Sequence, residues 1–114
     1  MAVRKGDLLQ GTLDLLVLKV LEAGPNHGYG IAMRLHQLSD DALRVEEGSL
    51  YPALYRMEEQ GLIEAEWRPT RNNRNARFYA LTRKGRRTAQ AELESWRRLS
   101  GAVTRVLRAL EQEA

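Results

Sequence analysis

The stretch EEGSLYPALYRMEEQGLIEAEW, residues 46–67, decides the fold because a helical pattern passes directly into a strand pattern within it. At an advance of ~100° per residue, one helical face collects the apolar side chains. These are Leu50, Ala53, Leu54 and Met57. Gly61 is suited to ending a helix, and residues 62–67 then alternate between apolar and charged. We therefore predict a helix over 49–60 and a strand over 62–67.

Pro52 places a constraint on where this helix begins. Proline is tolerated in the first helical turn, where amides have no partner within the helix. The constraint favours a start at Ser49, whose hydroxyl can serve as the N-terminal cap. Pro52, Tyr55 and Arg56 fall opposite the apolar face, and Tyr51 lies on its flank. Solvent-facing positions usually carry charged residues, so this composition indicates a contact surface.

Two further helices are predicted before this stretch. Residues 8–22 carry a broad apolar stripe that includes Leu9, and Gly24 with Pro25 ends the pattern. A second helix is expected over 28–39. The short apolar run 43–45 is interpreted as an edge strand.

A hairpin and a long helix are predicted after it. Strands 62–67 and 77–81 flank a loop rich in asparagine and arginine. Thr82 is suited to capping a helix over 83–111, which would be about 45 Å long. Trp67, at the end of its strand, is expected to pack within the hairpin.

The last helix carries an apolar seam that a chain of this size cannot cover by itself. Ala89, Trp96, Val103 and Leu110 are spaced seven apart, which predicts a partner helix. A homodimer is the simplest supplier of that helix. The predicted dimer contacts are Leu93, Trp96, Leu99, Val103, Val106, Leu107 and Leu110. Trp96 is either ordinary dimer core or, with its mate, a platform for a flat aromatic ligand.

Charge is distributed unevenly along the chain. Of 114 residues, 18 are basic and 15 acidic, but residues 68–87 contain eight basic residues and no acidic one. Such a block predicts contact with a polyanion.

The composition argues against several classes of function. The absence of cysteine excludes disulfides and thiolate chemistry, and it fits a reducing cytoplasm. The two histidines, His27 and His36, lack a third metal ligand at suitable spacing, so we expect no metal and no cofactor; both are interpreted as turn and surface residues. The acidic doublets lie on exposed segments, so no enzyme is predicted. No apolar run reaches the ~18 residues of a membrane helix.

Three helices followed by a hairpin with a basic tip form the order of a winged helix-turn-helix, in which the third helix enters the DNA major groove. Glu58 and Glu59 would be repelled by phosphate, so the N-terminal turns are expected to face DNA. Ser49 and Tyr51 can donate hydroxyl hydrogen bonds, and Pro52 can contact a thymine methyl. Tyr55 is a further candidate contact, although both tyrosines could instead pack on the hairpin.

Arginines supply the remaining predicted DNA contacts. Arg56 could contact guanine or phosphate, or could instead pair with a neighbouring glutamate. Arg71, Arg74 and Arg77 on the wing are expected to neutralise phosphates, which gives affinity with little sequence information.

Three segments resemble the PadR-type transcriptional regulators in their order and spacing: HGYGIAMRL (27–35), EGSLYPALYRMEEQGLIEAEW (47–67) and RFYALTRKG (77–85). Ser49 stands where a threonine is commoner in that family, and the hydroxyl is kept. The wing tip lacks the glycine and proline often found there. A single helix after the wing is similar to the short subgroup of the family.

The resemblance implies a mainly α (α+β) fold: a winged helix-turn-helix at 1–82 with a C-terminal dimerisation helix at 83–114, packed as one unit. It implies a cytoplasmic homodimeric repressor that binds a palindromic operator in double-stranded DNA and is released by an effector, in some members a small aromatic compound. Tyr29 of the HGY segment would touch the DNA backbone. The alternative is a winged-helix module that binds RNA or protein without preference for duplex DNA.

Overall fold

The computed structural model describes residues 10–113, except for the side chain of Gln10. The first helix, α1, covers Gln10–Glu22, and α2 covers Gly28–Leu38 after the two-residue strand β1 at Asn26–His27. Helix α3 covers Glu47–Glu59. The predicted contribution of Leu9 to the first helix lies outside the described residues.

The C-terminal half contains a hairpin and one long helix. Strands β2 (Ile63–Pro69) and β3 (Asn75–Leu81) form the predicted antiparallel hairpin, here called the wing, and α4 covers Arg83–Glu113. Thr82 caps α4, as predicted, because its Oγ1 accepts a hydrogen bond from the backbone N–H of Gly85 at 3.0 Å.

The sheet differs from the prediction at its third strand. Its order is β1-β3-β2, and β1 pairs with Tyr79 and Phe78 of β3. The strand predicted at 43–45 is wrong, since that segment has no regular structure. A two-residue strand next to a helix start carries too short a pattern to be seen in sequence.

The core lies where the apolar faces of α1, α2 and α3 meet the sheet. Its fully buried side chains include Leu18, Ile31, Leu50, Leu54, Met57 and Ile63. The inward face predicted for α3 is confirmed. Burying each large aliphatic side chain contributes about 1.5–3 kcal/mol.

The start of α3 corrects the sequence prediction. Glu46, without a side-chain hydrogen bond to the helix, occupies the N-cap position that was predicted for Ser49. Pro52 is therefore the sixth helical residue and lies in the second turn. It cannot donate to the carbonyl of Gly48, which is exposed to solvent. Gly61 ends the helix as predicted, with a φ of +77°.

Candidate nucleic-acid interface

One cleft brings together the N-terminal turn of α2, the N-terminal half of α3 and the wing. Its volume is about 530 Å³. The side chains that line it include His27, Tyr29, Tyr51, Trp67, Arg74 and Arg77. Four of the nine predicted DNA contacts thus border the same space, although they are far apart in sequence: Tyr29, Tyr51, Arg74 and Arg77.

Tyr51 is positioned by a close approach to Gly28 at the start of α2. A Cβ atom on Gly28 would lie 2.8 Å from Cε1 and 2.9 Å from the hydroxyl oxygen of Tyr51. Tyr51 remains 44% exposed. Burial first, and Glu47 second, raise the pKa of Tyr51, so its hydroxyl stays protonated and able to donate. The glycine of the HGY segment therefore makes room for the tyrosine of the GSLYP segment.

His27 holds the neighbouring Tyr29 at the rim of the cleft. Its Nδ1 accepts a hydrogen bond from the backbone N–H of Gly30 at 3.0 Å and so caps α2. Its ring contacts Phe78 edge-on at 5.1 Å and lies parallel to Tyr29 at 6.5 Å. His27 thus has a defined structural task, and Tyr29 is left 62% exposed.

The outward face of α3 carries three of the other predicted contacts. Ser49, Pro52 and Tyr55 are exposed, and none of them lines the cleft. Ser49 lies in the first turn of the helix, where unpaired backbone N–H groups carry partial positive charge, whereas Pro52 and Tyr55 are the sixth and ninth of its 13 residues. Their contact with DNA stays a prediction.

Arg56 is not on that exposed face, which corrects the sequence interpretation. Its Nη2 donates to both carboxylate oxygens of Asp14 on α1, at 2.7 and 2.9 Å. Both side chains are more than two-thirds buried. Burial raises the pKa of the Asp14 carboxyl, an effect that the Arg56 charge opposes. The pair fixes α3 to α1. The carboxylate that pairs with Arg56 belongs to Asp14 of α1 and not to a neighbouring glutamate, which was the alternative in the sequence interpretation.

Arg77 likewise has a partner within the protein. Its Nη1 and Nη2 donate to the two carboxylate oxygens of Glu58 at 2.8 and 2.7 Å, a bidentate pair that links the wing to α3. Its guanidinium also lies 5.8 Å from the centre of the Tyr79 ring. Arg77 thus holds the wing against α3. Arg71 and Arg74 form no ion pair with any residue in the described range, and both are exposed.

Within residues 10–113, the predicted seam of helix α4 is left uncovered. Trp96, Leu99, Val103, Val106, Leu107 and Leu110 are exposed, and Leu93 is half-buried. Ala89 alone of the seam is buried in the core. Beside Trp96, a groove of about 240 Å³ runs between α1 and α4 and is lined also by Thr12, Leu15 and Glu92.

Three features of this surface were missed or misplaced by sequence reasoning. Trp67 is 68% exposed and lines the cleft instead of packing within the wing. The roles of Gly28 and Asp14 were not foreseen. A glycine next to an aromatic residue inside a helix-forming segment was a usable signal for Gly28, whereas nothing local marks Asp14 as a partner of Arg56.

Neither a metal-binding group nor a membrane-spanning helix is found within residues 10–113. Within residues 10–113, no group of three or more histidine or acidic side chains could hold a metal ion. No helix in that range is long and apolar enough to cross a membrane.

Comparison with known proteins identifies relatives with this fold. Residues 17–91 match the family described as the transcriptional regulator PadR-like family. A PadR family transcriptional regulator from Eggerthella lenta is 32% identical, with 86% of this chain and 83% of that chain covered at a TM-score of 0.72. A PadR-like transcriptional regulator from Bacillus cereus is 27% identical, with 90% and 97% covered at a TM-score of 0.75.

A third relative is longer than this chain. An uncharacterized 37.1 kDa transposon protein of Streptomyces fradiae is 40% identical over 90 residues, which make up 79% of this chain and 24% of that protein. The chain therefore spans about a quarter of the length of this relative. The family match and the two structural matches confirm the resemblance and the winged-helix fold drawn from the three sequence segments. The chain belongs to the PadR-like family of transcriptional regulators, which are DNA-binding proteins and not enzymes.

Proposed function

We propose that this protein is a homodimeric repressor that binds a palindromic operator in double-stranded DNA. The observation that carries the proposal is the cleft in which Tyr29, Tyr51 and Arg74 converge from three separate elements. Two of these side chains offer hydroxyl donors and the third offers an unpaired cation. Such a set fits duplex DNA that lies between a helix and a wing.

Helix α3 supplies sequence recognition in this proposal. Its N-terminal half enters the major groove, with Ser49 and Tyr51 as hydrogen-bond donors, Pro52 as a contact to base edges and Tyr55 as a further contact from the next turn. Arg71 and Arg74 neutralise phosphates on the wing side. Arg77 acts indirectly, because its pairing with Glu58 sets the distance between wing and helix.

Dimerisation through α4 places two such surfaces on one duplex. The exposed apolar seam supports a self-complementary helix contact, since isolated apolar stripes of this length are uncommon on monomers. Residues 1–82 then form the DNA-binding unit and 83–114 the dimerisation helix. A two-fold dimer predicts half-sites about one helical turn apart.

A small aromatic effector would act at the groove between α1 and α4. Trp96 offers a flat ring at this groove, and Glu92 lies within the same lining. From there, Asp14 on α1 reaches Arg56 on α3 through the buried ion pair. This route supports release of DNA by a ligand that shifts α1 relative to α4.

Fluorescence anisotropy with labelled nucleic acids tests the proposal. The probes are a duplex from the DNA that flanks the gene, a mixed-sequence duplex and a single-stranded RNA. We expect tight, salt-dependent binding to the flanking duplex, weaker binding to the mixed sequence and the weakest to RNA. Tyr51→Ala should reduce binding to the flanking duplex far more than to the mixed sequence. Equal affinity for RNA and both duplexes would instead support an RNA-binding or protein-binding module.

A further inference from the structure

No contact that is seen among residues 10–113 explains the position of Trp67. It lies near the end of β2 and is 68% exposed, and it does not belong to the core cluster. Among residues 10–113, it takes part in no aromatic pair, cation–π contact or hydrogen bond through its indole N–H. A single exposed apolar side chain needs no explanation by itself, but this one lines the same cleft as Tyr29 and Tyr51, and that position indicates a contact made with another molecule.

The sheet register shows which way Trp67 faces. Trp67 pairs with Arg77, and Ala65 pairs with Tyr79, so these four residues share one face of the wing. Tyr79 is buried and Arg77 reaches Glu58 on α3. This face is therefore turned toward the helices, and Trp67 lines the cleft beyond the Arg77–Glu58 pair.

The neighbours of Trp67 define the chemistry of what it would meet. The cleft is also lined by Tyr29 and Tyr51, which each carry a hydroxyl group, and by Arg74, which forms no ion pair within residues 10–113. Such donors suit an anion, and among residues 10–113 no carboxylate lines the cleft to oppose one. An indole adds a flat apolar ring and one N–H donor. Together they match a sugar-phosphate strand, which alternates apolar deoxyribose with anionic phosphate.

We infer that Trp67 is a DNA-backbone contact: its ring packs on a deoxyribose, and its N–H donates to the adjacent phosphate. The inference rests on the proposed function and adds a residue to its contact set. Because the sugar and phosphate are common to all sequences, Trp67 contributes affinity without specificity. The Arg77–Glu58 pair positions it, since Arg77 is its direct partner in the neighbouring strand.

Fluorine NMR of the intact protein carrying fluorotryptophan tests this contact. The chain has two tryptophans, so two resonances are expected, and Trp67→Phe identifies one of them by its loss. Addition of the flanking duplex should shift or broaden the Trp67 resonance. The mixed-sequence duplex should do the same at low salt, because the contact is to the backbone.

Binding measurements on variants complete the test. Trp67→Ala should weaken binding to both duplexes equally, by about tenfold, and Trp67→Phe should weaken it less. Neither change removes a charge, so the slope of log K against log salt should match the wild type. Arg74→Ala, by contrast, should reduce that slope by ~0.9.

The outcomes separate the inference from the proposed function. A Trp67 resonance that stays unmoved while a protein–DNA complex forms would overturn the contact and leave DNA binding intact. A loss confined to the flanking duplex would also overturn it, since that result means base recognition. Absence of a complex with either duplex would overturn both.

Discussion

Replacement of Gly28 by alanine should separate DNA binding from folding, because the new methyl group meets a side-chain tip and not the backbone. The Cβ atom would stand 2.8 Å from Cε1 of Tyr51 and 2.9 Å from both Cζ and the hydroxyl oxygen. Contacts this short force a shift. The ring of Tyr51 is the part that can move, since it is 44% exposed and the atoms concerned are at its far end.

Gly28→Ala should affect stability and DNA affinity in opposite directions. Alanine is favoured over glycine inside a helix by roughly 0.8–1.0 kcal/mol, and by less at the first helical residue, so the free energy of unfolding should be unchanged or slightly higher. Displacement of the Tyr51 hydroxyl removes its proposed hydrogen bond to a base edge, worth about 0.5–1.5 kcal/mol between neutral groups. The affinity for the flanking duplex should therefore fall roughly 2- to 13-fold.

Urea denaturation and fluorescence anisotropy measure the two quantities on the same preparations. Gly101→Ala is the matched control: it introduces the same methyl group within a helix, and its nearest contact is the flexible end of Arg105 at 3.6 Å. We expect wild-type DNA affinity for this control and a small gain in stability. It lies outside the apolar seam of α4.

A double-mutant cycle with Tyr51→Phe tests the stated cause. If Gly28→Ala acts by moving the hydroxyl, the substitution should cost little additional affinity once that hydroxyl is absent. Wild-type DNA affinity in a folded Gly28→Ala variant would refute the reasoning. A large loss of stability would refute it too, since it would mean that the backbone moves and not the ring.

Three further results are expected. Arg74→Ala should weaken binding to specific and mixed-sequence duplexes alike and reduce the log–log salt slope by ~0.9, as measured by anisotropy at several salt concentrations; an unchanged slope would remove it from the contacts. Leu99→Glu with Val106→Glu should give monomers in sedimentation, because two charges would enter the apolar seam; a persistent dimer would contradict its placement. Arg56→Met should lower the free energy of unfolding by on the order of 1–2 kcal/mol at neutral pH. The Arg56 charge lowers the pKa of Asp14, so without Arg56 this carboxyl titrates at higher pH in the folded state. The decrease in the free energy of unfolding should therefore grow as pH rises through that pKa. A decrease in the free energy of unfolding, measured by urea denaturation, that is equal at acid and neutral pH would contradict this linkage.

Periodicity predicted those parts of the fold that depend on local pattern. The buried face of α3, the hairpin, the cap at Thr82 and the end at Gly61 all follow from spacing or from one residue's backbone preference. The start of α3 did not follow, because the rule that confines proline to the first turn is a preference. The exposed N-terminal end of this helix tolerates Pro52 one turn later.

Long-range charge pairs account for most of what sequence could not predict in the candidate site. Asp14 and Arg56 are 42 residues apart, and Glu58 and Arg77 are 19 apart. Each arginine, considered without its partner, has the charge and hydrogen-bond donors expected of a DNA contact. Only the packing of α1 and the wing against α3 shows that both are paired within the protein. The same packing leaves Trp67 exposed in the cleft between the wing and the helices. An alternating strand pattern cannot distinguish such a residue from a packed one.

Chemical footprinting of the operator tests the central claim most directly: the N-terminal half of α3 reads the major groove of duplex DNA. The predicted result is protection of guanine N7 in two symmetric half-sites about 10–10.5 base pairs apart, lost selectively in Tyr51→Ala. Protection confined to the sugar-phosphate backbone, with guanine N7 equally reactive in the free and bound duplex, would contradict it.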